Sequence, residues 1–95
     1  MSLGNHYVYI LECKGGTYYT GYTTDVEHRM KAHESGTGAK YTRSRGPFQL
    51  LYEKHYSTKM EAMKAEYQIK QLTRQQKRVL IARQRGVETV YPKEL

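Results

Sequence analysis

Residues 6–22 read HYVYILECKGGTYYTGY, with two tyrosine-rich segments on either side of a glycine pair. Tyr7–Cys13 and Thr17–Thr23 are rich in the aromatic and β-branched residues that favour strands, so the stretch predicts an antiparallel hairpin. Tyrosine packs well on a half-buried pleated surface, and this structural role explains most strand tyrosines. The functional alternative is that some of these tyrosines share a site.

The turn of the hairpin decides which tyrosines share a face. A two-residue turn at Gly15 and Gly16 would place Tyr9 and Tyr19 on opposite faces, because successive side chains of a strand alternate. A three-residue loop that also includes Lys14 reverses the parity and places both tyrosines on one face. The sequence allows either turn, because glycine adopts the left-handed conformations that both need.

Capping and turn residues divide the rest of the chain into one strand and three helices. We predict a helix from Thr24 or Asp25 to about Ser35, followed by a basic loop over residues 37–47 and a strand at Phe48–Tyr56. A second helix should be capped by Ser57 and run to about Leu72. A third should be capped by Thr73 and Gln76 and end near Arg85. The order β-β-α-β-α-α is typical of an α+β fold, here a small three-stranded antiparallel sheet with helices packed on it. With 95 residues, we expect a single domain over residues 1–95.

Composition narrows the classes of function. Hydrophobic residues make up 38% of the chain and charged residues 26%, which is typical of globular rather than disordered proteins. The single cysteine, Cys13, excludes an internal disulfide and a cysteine-based metal cluster. No apolar run approaches transmembrane length and the first residues lack a signal-peptide core, so we expect a cytoplasmic location and no membrane partner.

The net charge of +7 comes from 16 basic and 9 acidic residues, and the basic residues form two clusters. The members are Lys40, Arg43 and Arg45 in the loop, and Lys70, Arg74, Lys77 and Arg78 in the last two helices. Some small basic domains are merely soluble, but clustering of this kind more often indicates contacts with the phosphate backbone of DNA.

The first predicted helix carries polar groups on the face that should be buried. At 100° per residue, Val26, Arg29, Met30 and His33 form one stripe. Arginine is rarely buried without a partner. Either Arg29 extends to solvent and His33 is a hydrogen-bonded core histidine, or both residues line a site.

The second predicted helix places Glu66 in the middle of its apolar face. A buried carboxylate must be protonated, paired, or facing a cleft that binds a cation. An ion pair with Arg29 is the structural alternative. Packing both helices on one sheet would bring Glu66, Arg29 and His33 together beside the tyrosines.

This set of residues resembles the GIY-YIG nuclease family over about residues 6–82. The matching positions are, in chain order, Tyr7-Val8-Tyr9, Tyr19-Thr20-Gly21, Arg29, His33 and Glu66. The stretch GTGAKYTRSRGP, residues 36–47, is similar to small stand-alone bacterial members and to the catalytic subunits of structure-specific DNA endonucleases. A single three-letter match would be weak, whereas the ordered set is specific.

The resemblance implies cleavage of phosphodiester bonds in DNA, including branched or flap structures, with one divalent ion, Mg²⁺ or Mn²⁺. Glu66 would hold the ion, and a lone carboxylate is sufficient because Mg²⁺ keeps several waters. Tyr9 or Tyr19 would accept the proton of the attacking water while the other orients it. Arg29 would stabilise charge on the phosphate, and His33 would assist by hydrogen bonding or proton transfer.

Two departures from the family pattern support a second class of function. Tyr22 stands where many members carry lysine, and a late active-site asparagine is absent because Asn5 is the only asparagine. The alternative is a non-catalytic nucleic-acid binding module that retains the fold. In either case we expect specificity to come from DNA shape, from the basic clusters or from a protein partner.

Overall fold

The computed structural model describes residues 4–86 and shows an α+β fold with the expected order of elements. The strands and helices are β1 (His6–Glu12), β2 (Tyr18–Thr23), α1 (Val26–Glu34), β3 (Gln49–Tyr56), α2 (Lys59–Lys70) and α3 (Arg74–Gln84). The strands form one antiparallel sheet in the order β2-β1-β3, so β2 and β3 are its two edges. The fold class predicted from the sequence is confirmed.

The hairpin contains the three-residue loop. Cys13 N donates to Thr17 O at 2.7 Å and closes a loop in which Gly15 and Gly16 have φ of 89° and 88°. Both values lie in the left-handed region that glycine adopts without strain. The register pairs Tyr9 with Gly21 and Leu11 with Tyr19. Tyr9 and Tyr19 therefore lie on the same face of the sheet.

The hydrophobic core fills the other face. Val8 and Ile10 of β1 pack there against Ala62 and Ile69 of α2 and against Ile81 of α3. Tyr9 points to the opposite face and contacts α1. Helices α1 and α2 thus cover opposite faces of the sheet.

The helix caps follow local sequence signals with one correction. Thr73 and Gln76 form the predicted capping box of α3. The cap of α2 is Thr58 rather than Ser57, because the Thr58 hydroxyl accepts the backbone N–H of Glu61 at 3.2 Å. Within residues 4–86 no helix is long and apolar enough to cross a membrane.

Candidate active site at the edge of the sheet

Tyr9 forms the buried centre of the site. Its side chain is 1% exposed, and its hydroxyl lies 2.8 Å from His33 Nε2. The neighbouring residue on β2 is Gly21, where an added Cβ would lie 2.5 Å from the Tyr9 hydroxyl. The glycine of the second motif therefore makes room for the phenol of the first.

Thr42 determines which nitrogen of His33 carries the proton. The Thr42 hydroxyl donates its only proton to Ala39 O at 2.9 Å, so at 2.8 Å from His33 Nδ1 it accepts a hydrogen bond. The imidazole proton is consequently on Nδ1, and Nε2 accepts from the Tyr9 hydroxyl. All three hydrogen bonds are donated in the same direction: Tyr9 donates to His33, His33 donates to Thr42, and Thr42 donates to the Ala39 carbonyl.

The environment keeps both rings of this chain neutral near pH 7. Burial, with the positive charge of Arg29 adding to it, lowers the pKa of His33. Burial also raises the pKa of Tyr9, and the nearby Arg29 guanidinium lowers it. Tyr19 and Glu66 add smaller increases, and the resulting pKa is about 12. Because its proton is committed to His33, Tyr9 turns only oxygen lone pairs toward other groups.

Arg29 lies beside these lone pairs. The phenol of Tyr9 raises the pKa of the Arg29 guanidinium, burial opposes this, and Tyr19 adds a smaller increase. The Arg29 Nε atom is buried and has no hydrogen-bond partner within the described residues. The guanidinium is thus held near two phenol oxygens and keeps a donor free.

Tyr19 joins the buried chain to the surface loop. Its ring lies 6.3 Å from the Tyr9 ring and 5.6 Å from the His33 ring, and it stacks on Tyr41 at 5.7 Å. The Arg45 guanidinium lies over the Tyr41 ring, 4.3 Å from its centre. Unlike Tyr9, Tyr19 is only half-buried.

The sequence reasoning missed Tyr41 and Thr42 as site residues. Both lie within GTGAKYT, but contacts between this loop and α1 or β2 cannot be obtained from periodicity. A weak signal was present in Gly38, where an added Cβ would collide with His33. Glycine at this position allows the loop backbone to approach the imidazole closely.

Glu66 lies on a helix that packs on the other face of the sheet from α1. Helix α2 covers the face of Val8 and Ile10, whereas α1 contacts Tyr9. Its side chain is 18% exposed and pairs with Lys70 at 3.3 Å. No ion pair with Arg29 occurs among the described residues. The charge of Glu66 nevertheless contributes to the raised pKa of Tyr9, so the carboxylate lies within electrostatic reach of that phenol.

A site for a divalent cation would rest on this single carboxylate. The described part of the chain contains no cluster of three His, Cys, Asp or Glu side chains suited to a metal. Glu66 is partly buried and belongs to α2, which packs against the edge strand β2 as well as β1. A lone carboxylate fits a cation that keeps several waters and takes its remaining oxygen ligands from a substrate phosphate.

The predicted nucleic-acid contacts lie on two surfaces. Lys40, Arg43 and Arg45 are exposed in the loop, which is tied to the hairpin by a hydrogen bond from Lys14 N to Arg45 O at 2.7 Å. Lys70, Arg74 and Arg78 are exposed on the helices, and Lys77 is half-buried.

Tyr22, one of the departures from the family pattern, lies away from the tyrosine site. It packs against the core on the face covered by α2 and α3. Its hydroxyl lies 2.8 Å from His6 Nδ1, and the two rings stack. Tyr22 therefore does not obstruct the chain from Tyr9 to Thr42.

Comparison with known proteins gives the site its context. Residues 5–79 match the model of the GIY-YIG catalytic domain. The chain is 57% identical over 82 residues to the UPF0213 protein BH0048 of Halalkalibacterium halodurans, covering 86% of this chain and 87% of that protein. It is 46% identical over 94 residues to the UPF0213 protein YazA of Bacillus subtilis, and this match covers 98% of this chain and 95% of that protein.

Two solved structures are similar to this fold. The solution NMR structure of the UPF0213 protein BH0048 from Bacillus halodurans has a TM-score of 0.58 at 52% identity, covering 96% of this chain and 99% of that one. The solution NMR structure of the protein EF2693 from E. faecalis has a TM-score of 0.58 at 39% identity, and the match covers 96% of this chain and 94% of that one. The two motifs, the site they build and these matches together show that the chain belongs to the GIY-YIG family.

Proposed function

We propose that this protein is a divalent-metal-dependent endonuclease that cleaves phosphodiester bonds in DNA. The GIY-YIG domain is a nuclease domain, and its nucleases generally use a divalent metal ion. The observation that supports the proposal is the buried chain from Tyr9 through His33 to Thr42. The Arg29 guanidinium lies beside the phenols of Tyr9 and Tyr19, and a cationic group there suits an anionic substrate.

Tyr19 is the phenol we assign to the attacking water. Tyr9 is unsuited to act as a base because it is fully buried and its pKa is raised to about 12. In the proposed reaction Tyr19 first releases its phenol proton to solvent, and its oxygen then takes a proton from water as the new O–P bond forms. The bond from phosphorus to the leaving sugar oxygen then breaks, and that oxygen takes a proton from solvent.

The remaining residues hold this geometry and balance charge. Arg29 stabilises negative charge on the phenol oxygen and on the phosphate. Tyr9 and His33 position the guanidinium through the directed hydrogen bonds described above. His33 is in this scheme a positioning residue, because its Nε2 is already occupied by the Tyr9 hydroxyl.

Glu66 is the residue we assign to one Mg²⁺ or Mn²⁺ ion. When bound, the ion would neutralise charge on the phosphate and lower the pKa of a water. Because β2 is an edge strand, a phosphate lying along it can meet groups from both faces of the sheet. Glu66 and Tyr19 can therefore act on one phosphate although α2 packs on the face of the sheet opposite to the tyrosine site.

We assign the two basic surfaces to the phosphate backbone of DNA. No base-reading motif is visible in the sequence, and lysine and arginine contacts to phosphates carry no sequence information. We therefore expect cleavage to depend on DNA structure, with flap and branched DNA as the first substrates to test, or on a protein partner.

The decisive variant is Glu66→Gln, compared with Glu27→Gln. Glu27 is a matched control because it forms the other pair of this spacing on a helix, with Lys31 at 3.9 Å. Both changes remove a charge whose lysine partner is at least half-exposed, so each should change the unfolding free energy by only about 0.5 kcal/mol. Only Glu66→Gln should abolish Mg²⁺-dependent cleavage of labelled single-stranded, duplex, flap and branched DNA.

The same assay separates the nuclease from a binding module. A parent protein that binds all four DNA substrates but cleaves none with Mg²⁺ or Mn²⁺ would contradict the proposal. Undiminished cleavage by Glu66→Gln would remove Glu66 from the metal site. Melting temperatures of all three proteins exclude unfolding as the cause of lost activity.

A further inference from the structure

A small pocket lies at the start of the edge strand β2. It has a volume of about 230 Å³ and is lined by Thr17, Tyr18, Arg74 and Lys77. Two hydroxyl-bearing residues of the hairpin thus line it together with two cationic residues of α3. Hydroxyl, guanidinium and ammonium groups are the side chains that bind phosphate oxygens.

Arg74 is held in a fixed orientation in this pocket. Its guanidinium lies 4.5 Å from the centre of the Tyr18 ring, and its Nη1 atom donates a hydrogen bond to Gly16 O. A guanidinium has five N–H donors, so others stay available for a ligand. Ordering of the side chain before binding lowers the entropy lost when an anion binds.

The two cationic side chains of the pocket lack carboxylate partners in the described part of the chain. Neither Arg74 nor Lys77 forms an ion pair with a carboxylate among residues 4–86. Lys77 is half-buried, and burial together with the positive charge of Lys70 lowers its pKa. A partly buried ammonium without a counter-ion is unfavourable, and an oxyanion in the pocket would relieve this cost.

The pocket and the proposed active site share elements of the fold. Tyr18 directly precedes Tyr19 in β2, and Lys70, whose charge acts on Lys77, lies 3.3 Å from Glu66. We propose that this pocket binds a backbone phosphate of the same DNA strand, beside the phosphate that is cleaved. The location of the cleaved phosphate rests on the proposed function, whereas binding in the pocket is measurable without cleavage.

The test compares Lys77→Gln with Lys64→Gln, an equal loss of charge at an exposed position of α2. Binding of a fluorescent oligonucleotide without terminal phosphates is measured in EDTA at several salt concentrations. Lys77→Gln should weaken binding roughly tenfold, the effect of one hydrogen bond to a charged group. It should also reduce the salt slope by about 1. Lys77→Arg should bind like the parent, and Lys64→Gln should change affinity less than about twofold, as for a weak surface charge.

A titration of the parent with inorganic phosphate tests the pocket without any variant. Amide NMR signals of residues 16–18 and 74–77 should shift together and saturate, and this readout decides the matter if Lys77→Gln fails to fold. Equal weakening by the two glutamine variants, absence of these shifts, or an effect seen only with 5′-phosphorylated DNA would overturn the proposal. If the parent shows the shifts and binds tenfold more tightly than Lys77→Gln but cleaves no DNA, the result would support phosphate binding in the pocket and contradict the proposed nuclease activity.

Discussion

At the scale of single residues, Thr42 determines which nitrogen of His33 carries the proton. Its hydroxyl both accepts from His33 Nδ1 and donates to Ala39 O. Without that acceptor the imidazole could carry its proton on Nε2, and the Tyr9 hydroxyl would then accept rather than donate the hydrogen bond with His33. The direction in which Tyr9 donates its proton therefore follows from this tautomer.

Replacing Thr42 with valine should therefore disturb the site without changing its shape. The buried His33 N–H would lose its acceptor, which typically costs about 1–3 kcal/mol. We expect a lower melting temperature, reduced cleavage, and a changed ¹⁵N pattern of the His33 ring. Thr42→Ser keeps the hydroxyl and serves as the control, so a serine variant as impaired as the valine variant would contradict this explanation.

The lowered pKa of His33 predicts loss of stability in mild acid. An unfolded histidine has a pKa near 6.5, so below about this pH the unfolded state binds more protons than the folded state. The stability is fully present above pH ~6.5 and is lost as the pH falls toward the lower folded pKa. Urea midpoints measured between pH 7.5 and 5 should fall for the parent and change less for His33→Gln, in which the other histidines remain. Identical profiles for the two proteins would show that His33 is not the titrating group.

At the scale of elements, α3 protects one edge of the sheet. The Gln84 side chain accepts from Glu53 N at 3.3 Å and donates to Glu53 O at 2.7 Å, as a neighbouring strand would. Unpaired groups on an edge strand can template association with another chain. Gln84 therefore connects the last helix to β3 and also occupies part of its edge.

Gln84→Ala should destabilise the fold and expose this edge. Loss of two hydrogen bonds at an exposed position should cost roughly 1 kcal/mol. We expect a lower melting temperature and increased light scattering at high protein concentration. Gln75→Ala, the same change at an exposed position of the same helix, is the control. Equal effects of both substitutions would mean that helix propensity, not the edge contact, is responsible.

At the scale of the whole molecule, the charge of +7 should dominate the encounter with DNA. The cationic residues flank the edge strand on the loop side and on the helix side, so several phosphates can be neutralised at once. Each neutralised phosphate contributes about −0.9 to the slope of log affinity against log salt.

Four phosphate contacts, for example, would give a slope of about −3.6 and a loss of roughly a hundredfold in affinity between 50 and 200 mM salt. We expect a steep slope of this kind, with little dependence on base sequence, in anisotropy titrations without divalent metal. Comparison of two oligonucleotides of equal length and unrelated sequence provides the control. Affinity that does not change with salt would show that these charges do not contact the backbone.

Features that depend on neighbours within about four residues could be predicted from the amino-acid sequence. The capping box of Thr73 and Gln76, the cap at Asp25 and the order of the six elements are of this kind. Periodicity also identified Arg29 and His33 as polar groups on a face that is largely buried. Backbone hydrogen bonding and side-chain alternation are local, so a pattern of residues is sufficient to reveal them.

The way in which these local elements meet became known from the folded structure. It selected the three-residue hairpin loop, placed α1 and α2 on opposite faces of the sheet, and paired Glu66 with Lys70 rather than Arg29. It also brought His33 to Tyr9 across 24 residues and set Thr42 beneath the imidazole. Such contacts depend on which apolar surfaces are buried together and on the hydrogen bonds left to satisfy there. These are properties of the packed chain, which no short stretch of the sequence contains.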